Sequence, residues 1–240
     1  MDLSNIEFEY VYLTYSNINE SFYDTRKNRI WKGVKEFIVR NSKNNNKFLD
    51  LGCGSGKYVE LILKNSEYYG LDICKEFINL VNKKYNINLT NLMVSNVTNI
   101  PLPDQYIDNI INIAVIHHLS NNEKKIQMLS EIYRVLKPNG SCLITAWTFD
   151  NESIATENSQ KFVQRIINRS EHLDGSDYLI PWTDRKNNDT IYYRYYHIFI
   201  KNELEKLIIL FNELNPSKQF KVINSFYDEN NYNIEIVRDP

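Results

Sequence analysis

Phe48-Leu49-Asp50-Leu51-Gly52-Cys53-Gly54-Ser55-Gly56-Lys57-Tyr58 joins a short apolar run to a turn with glycine at every second position. The apolar half reads as a buried strand and the chain beyond the turn as a helix. Glycines let the backbone bend sharply and leave room where side chains would otherwise stand. A helix starting there aims its unsatisfied amides into that room. A second apolar run, Tyr68-Tyr69-Gly70-Leu71, ends at Asp72, roughly 20 positions past the glycines, as expected of a carboxylate gripping a ribose diol. A glycine turn alone says little. Strand, turn, helix, strand and acid in that order indicate a nucleoside-containing ligand.

Outward from this stretch, strand and helix signals alternate, as in a parallel sheet covered on both faces. Asn91-Leu92-Met93-Val94 is a short third strand and Ser95-Asn96-Val97 a turn, and Ile107 to Ala114 is a longer strand. Ser120-Asn121-Asn122-Glu123 reads as a capping box opening a helix with Ile126, Leu129, Ile132, Tyr133 and Leu136 on its buried stripe. Lys137-Pro138-Asn139-Gly140 stops that helix, and Cys142 to Trp147 gives a fifth strand. Upstream, residues 6–40 look helical around a polar joint, Phe22 to Arg29, with Asn41 to Asn46 as a linker. Residues 151–190 break the rhythm: one amphipathic helix around Phe162, Val163, Ile166 and Ile167, then an apolar knot, Tyr178 to Trp182. Leu204, Leu207, Ile208 and Phe211 mark a last helix, and Phe220 to Ile223 and Tyr232 to Val237 two closing strands.

The expectation is one α/β domain over residues 1–240. It comprises an N-terminal helical cover (1–46), a cofactor-binding core (47–150), an insertion (151–190) and a C-terminal helix with closing strands (191–240). The chain of 240 residues, 42% hydrophobic and 24% charged, suits a globular domain with a real core. A net charge of −2 excludes wholesale electrostatic binding of polyanions and leaves only local patches. No apolar run reaches the ~20 residues that cross a bilayer. The first residues lack the build of a signal peptide, so a cytoplasmic or nuclear location is expected. Cys53, Cys74 and Cys142 never form a C-x-x-C pair, which argues against both disulfides and zinc ligation.

The glycine spacing is G-x-G-x-G with Asp50 just upstream, rather than G-x-G-x-x-G. An acid there would repel a pyrophosphate but suit the ammonium of an amino-acid-bearing nucleoside. Over Phe48 to Trp147 the chain resembles the S-adenosylmethionine-dependent methyltransferases of the Rossmann-like class. The resemblance rests on Asp50 to Gly56, Asp72 and Arg134-Val135-Leu136-Lys137-Pro138-Asn139-Gly140. It implies a seven-stranded, mostly parallel sheet with helices on both faces, carrying S-adenosylmethionine. By the same resemblance Asp50, Gly52, Gly54 and Gly56 form the cofactor loop. Asp72 and Ile73 lie at the ribose, Asn96 and Val97 at the adenine, and Ile113 and Ala114 beside the methionine part. Many relatives carry Asp where this chain has Asn96.

Further segments resemble the eukaryotic tRNA methyltransferases that esterify 5-carboxymethyluridine at the wobble position. They are Phe22-Tyr23-Asp24-Thr25-Arg26, Ala114-Val115-Ile116-His117-His118, Ala146-Trp147, Ile180-Pro181-Trp182 and Tyr193-Arg194-Tyr195-Tyr196-His197. The chain departs from them in a shorter insertion, in Lys27-Asn28-Arg29-Ile30 and in Leu119. The chemistry fits. Transfer of a sulfonium methyl to a carboxylate needs an aligned nucleophile and no strong base, and a dry pocket favours charge cancellation. Arg26, Arg194 and His118 are candidates to position the carboxylate. Trp147, Tyr195 and Trp182 are candidates to stack on the uracil or exclude water.

The expected partners are the anticodon loop of tRNA and, by the resemblance, a small zinc-binding activator protein. An exposed sheet edge at Leu92-Met93-Val94 would take that activator by strand addition. Two rival readings stand beside this one: a small-molecule methyltransferase of quinone or sterol type, and a non-catalytic binding subunit that kept the fold. No metal and no membrane contact is expected.

Overall fold

The computed structural model describes residues 4–26, 30–149, 157–172 and 176–240, without the side chains of Arg26, Phe162, Glu171 and His172. The chain opens with α1 (Asn5–Glu7), a π-helical turn (Phe8–Leu13), α2 (Thr14–Arg26) and α3 (Lys32–Asn41). The alternating core follows: β1 (Asn46–Leu51), α4 (Val59–Ile62), β2 (Ser66–Asp72), α5 (Lys75–Tyr85), β3 (Leu92–Val94), β4 (Ile107–Ile113), α6 (Asn122–Val135) and β5 (Leu136–Trp147). Then come α7 (Glu157–Ile167), β6 (Glu171–His172), β7 (Asp177–Asp184), β8 (Thr190–His197), α8 (Glu203–Leu214), β9 (Phe220–Asp228) and β10 (Asn231–Arg238).

Seven strands pair in the order β3-β2-β1-β4-β5-β10-β9, the first five parallel and β10 antiparallel to both its neighbours, β5 and β9. The fold class is therefore the expected one, α/β with a doubly wound sheet. Apolar stripes cover both faces: Val34, Phe37, Ile38, Val59, Ile62, Ile78 and Val81 on one side, Leu129, Ile132, Leu204, Leu207 and Phe211 on the other. Burying these stripes supplies most of the fold's stabilisation, since helices gain more from packing than from intrinsic propensity. β3 lies at the sheet edge, as expected from the sequence.

Four local expectations change. The helix after the glycine turn is a single turn of four residues, too short to present a row of free amides. Asn121, not Ser120, caps α6 by accepting from the Lys124 amide, because Ser120 is held by Glu7. β5 begins directly after α6 at Leu136, with a register irregularity between Ile107 and Asn109 of β4 where the glycine turn was expected to interrupt. The segment read as an insertion contains α7 as expected, but together with residues 191–197 beyond it, it builds a second sheet, β6-β7-β8. In it the apolar knot and the tyrosine-rich stretch pair as an antiparallel ladder, with Ile180 opposite Arg194 and Leu179 opposite Tyr195.

Candidate active site

The β1–α4 loop has positive φ at Gly52, Gly54 and Gly56. At Gly54 an added Cβ would meet nothing within 4 Å, so the loop leaves an open cradle there. The Gly54 amide donates to Asp72 Oδ2 at 2.8 Å, and the Cys74 amide donates to Asp72 Oδ1 at 2.9 Å. Each carboxylate oxygen keeps a lone pair for a hydroxyl donor. Ile73 and Ile113 are half-buried beside this acid and at the end of β4, and Val97 is buried. Asn96 Oδ1 accepts from the Thr98 amide at 3.1 Å, closing its own turn. Burial raises the Asp72 carboxyl to about 6, against the amides of Cys74, Gly54 and Ile73, which pull it down. Asp50 lies beneath the loop; burial lifts it to about 7, the Tyr68 hydroxyl at 3.4 Å opposes this, and Asp72 adds to it.

These features suit S-adenosylmethionine. A cation beside Asp50 and Asp72 would reverse the charge that burial resists, and the open space at Gly54 can admit ribose. The loop is not open throughout. Ala114 adopts φ 59 at the end of β4, and its amide donates to Thr145 Oγ1 at 2.8 Å. A left-handed alanine costs about 1 kcal/mol, and such outliers concentrate at functional sites. It turns the chain so that Val115 stands against Gly52, 2.3 Å from where a Cβ would be. Val115 belongs to the segment quoted before the two histidines, but its place against the glycine loop was not read from the sequence.

Beyond Val115 a 3-10 turn carries His117 and His118 into the interior, under α2 and the β7–β8 hairpin. His118 Nδ1 lies 2.7 Å from the Tyr195 carbonyl, and its Nε2 3.1 Å from the Tyr15 hydroxyl. Burial lowers His118 to about 3, so the ring is neutral. Burial and the neighbouring His118 likewise lower His117. His117 Nδ1 accepts from the Trp147 amide at 3.1 Å; its buried Nε2 has no partner among the described residues.

Arg194 is only 4% exposed. It donates to the Tyr196 hydroxyl at 3.1 Å and stacks over Trp182 and Tyr196, with centroid distances of 5.1 and 5.3 Å. No carboxylate of the described residues pairs with it, and its Nε has no partner there. Aromatic faces and phenol oxygens offset part of the cost of burying a guanidinium but do not neutralise it.

The structure thus gathers Arg194, His118, Trp147, Tyr195 and Trp182 around one cluster, with unequal roles. Trp147 is half-buried, its ring 4.9 Å from that of Tyr196. Both nitrogens of His118 are engaged, so it offers no donor to a substrate. Tyr195 is fully buried and is no stacking surface; its carbonyl serves His118. Arg26 ends α2, and its side chain lies outside the described residues. Two residues of the cluster went unmarked, Tyr15 and Tyr196. Tyr15, Ile18 and Phe22 recur at helical spacing and read as ordinary core, while Tyr196 sat unweighted inside the tyrosine-rich segment.

A protein-family profile described as "Methyltransferase domain" matches residues 49–144. The chain is 29% identical over 232 residues to the tRNA (carboxymethyluridine(34)-5-O)-methyltransferase of Schizosaccharomyces pombe, covering 94% of this chain and 95% of that one. It is 25% identical to tRNA (carboxymethyluridine(34)-5-O)-methyltransferase alkbh8 of Xenopus tropicalis over 95% of this chain but 41% of that protein. It thus spans nearly all of the first relative and less than half of the second. In fold it matches a chain of the complex between the Haloferax volcanii Trm112 methyltransferase activator and a methyltransferase, with TM-score 0.61, 13% identity and coverage of 96% and 98%. The chain carries a methyltransferase domain of Rossmann-like fold over residues 49–144, and the curated relatives it resembles along almost its whole length include tRNA carboxymethyluridine methyltransferases.

Proposed function

We propose that the enzyme esterifies the carboxylate of 5-carboxymethyluridine at the wobble position of tRNA, giving the methyl ester. The observation that carries this reading is Arg194, a buried cation with no carboxylate partner among the described residues, within an aromatic enclosure. A neutral substrate would leave that charge uncompensated; a carboxylate cancels it. The cofactor supplies an activated methyl: the new bond is carboxylate O–CH3, the C–S bond breaks, and its electron pair stays on sulfur. No base is required, which agrees with His117 and His118 being buried and neutral. Asp72, oriented by the Gly54 amide, would hold the cofactor's ribose side, and Asp50 lies where a positive charge is favoured. A wobble base sits in a single-stranded loop and can be splayed out of its stack into such a pocket. Trp147 and Trp182 offer half-buried aromatic surface beside it.

The same reading includes a small activator protein laid along β3. Three residues of edge strand leave Val94 43% exposed and the preceding Leu89 69% exposed, an apolar edge suited to strand addition. The named activator in the Haloferax complex supports this by analogy of fold. The test of the reaction is transfer of labelled methyl to bulk tRNA that lacks the ester, by wild-type and Arg194→Ala protein. Wild type is expected to label tRNA in a form released by mild base. Arg194→Ala should lose at least about 100-fold in kcat/KM, since ~3 kcal/mol is typical of an interaction with a buried charge. Base-stable label, or full activity in Arg194→Ala, would refute the reading.

A further inference from the structure

Four side chains of the cluster form one hydrogen-bonded line whose direction can be assigned. The Tyr195 carbonyl can only accept, so His118, 2.7 Å away, carries its proton on Nδ1. A ring this deeply buried is neutral, so Nε2 is an acceptor and takes the Tyr15 proton across 3.1 Å. With that proton committed, the 3.2 Å contact between the two phenols runs from Tyr196 to Tyr15. Tyr196 has then spent its own proton, and its oxygen is left to accept from Arg194 Nη1 at 3.1 Å. Every hydroxyl is used once, and all four side chains are at least nine-tenths buried. The line crosses three parts of the chain: α2, the turn after β4 and β8. Water cannot substitute easily at such depth, so the orientation of each member depends on the next.

We propose that Tyr15 and Tyr196 are positioning residues: the line from the Tyr195 carbonyl through His118, Tyr15 and Tyr196 fixes Arg194 in the orientation that receives the substrate's anionic group. This deepens the function proposed above and rests on it. Neither tyrosine reacts. The Tyr196 hydroxyl engages Nη1 of the guanidinium, and the buried Nε stays without a partner among the described residues. Without the Tyr196 hydroxyl Arg194 would lose its acceptor, and without the Tyr15 hydroxyl that acceptor would lose its fixed orientation, while ring packing around Phe22, Phe77 and Trp147 would be kept.

The test compares two anticodon stem-loop RNAs, one carrying 5-carboxymethyluridine and the other its neutral amide, 5-carbamoylmethyluridine. Affinities are measured with the full chain loaded with S-adenosylhomocysteine. Wild type should prefer the acid by tenfold or more. Tyr15→Phe and Tyr196→Phe should each cut that preference at least threefold, raise KM for the acid more than they lower kcat, and leave cofactor affinity unchanged. His118→Gln, which keeps a donor and an acceptor, should preserve more of the preference than His118→Leu. A purely packing role would leave the ratio between the two RNAs constant in both Phe variants, and that result overturns the inference alone. A wild-type ratio near one overturns the proposed function together with it.

Discussion

At the scale of single residues, the loop and its two acids decide whether the cofactor binds. Gly54 holds φ +49 and faces open space, so Gly54→Ala strains the backbone by about 1 kcal/mol and places a methyl in the cradle. Its expected outcome is a folded protein whose cofactor affinity, by calorimetry, falls at least tenfold. The acids give a pH signature. Asp50 and Asp72 are raised to about 7 and about 6, so the ligand-free fold keeps protons that the unfolded chain has already lost. Their contribution to stability is complete below about pH 4 and is lost as pH rises through 6 and 7. His118 has the opposite sign: lowered to about 3, it costs stability as pH falls below 6.5, where the unfolded chain takes up a proton and the fold does not. Cofactor binding isolates the acids, because a cation binds their ionised forms. Affinity should strengthen by on the order of tenfold between pH 5.5 and 8, and an Asp50→Asn variant should flatten the curve.

At the scale of elements, the N-terminal helices are a cover whose first turn is fastened through Glu7. Glu7 is 2% exposed; it accepts from the Ser120 amide at 2.8 Å and pairs with Lys124 at 2.5 Å. Burial raises its carboxyl, but the lysine and Ser120 outweigh this and leave it lowered. The pairing therefore stabilises above pH 4.5 and is lost on acidification below that. Glu7→Ala should cost about 2 kcal/mol in urea unfolding at pH 7, less at pH 3.5, because it strands the Ser120 donors. The core of the fold was legible here: alternating apolar runs between Phe48 and Trp147 marked the strands and the helices on both faces, since burial obeys short periodicities, and the doubly wound class put Leu92 to Val94 at an edge. The β7–β8 hairpin was not. Ile180-Pro181-Trp182 and Tyr193 to Tyr196 lack a clean two-residue alternation, and their ladder also packs on α2, with Thr14 Oγ1 donating to the Tyr193 carbonyl at 2.8 Å. In the site, Asp72, Arg194 and the histidines were readable as residue types. That His118 is fully engaged, and that Tyr15 completes its line, depends on α2 folding back over more than a hundred residues of chain.

At the scale of the whole molecule, the two sheet edges differ. β9 ends one side as a nine-residue strand; β3 ends the other with three residues and exposed Leu89 and Val94. If an activator lies along β3, Val94→Lys should abolish co-purification with it and reduce solubility on co-expression, while cofactor affinity of the isolated chain stays within about twofold. Co-purification at wild-type yield would remove the edge from the account. The central claim is that a buried guanidinium receives a carboxylate that then takes the methyl group. Nucleoside mass spectrometry of tRNA incubated with enzyme and cofactor tests it most directly. The account predicts loss of wobble 5-carboxymethyluridine, gain of its methyl ester in equal amount, and return of the acid after brief alkali. A methyl found on a ring nitrogen or a ribose oxygen, with the acid unconsumed, would contradict it.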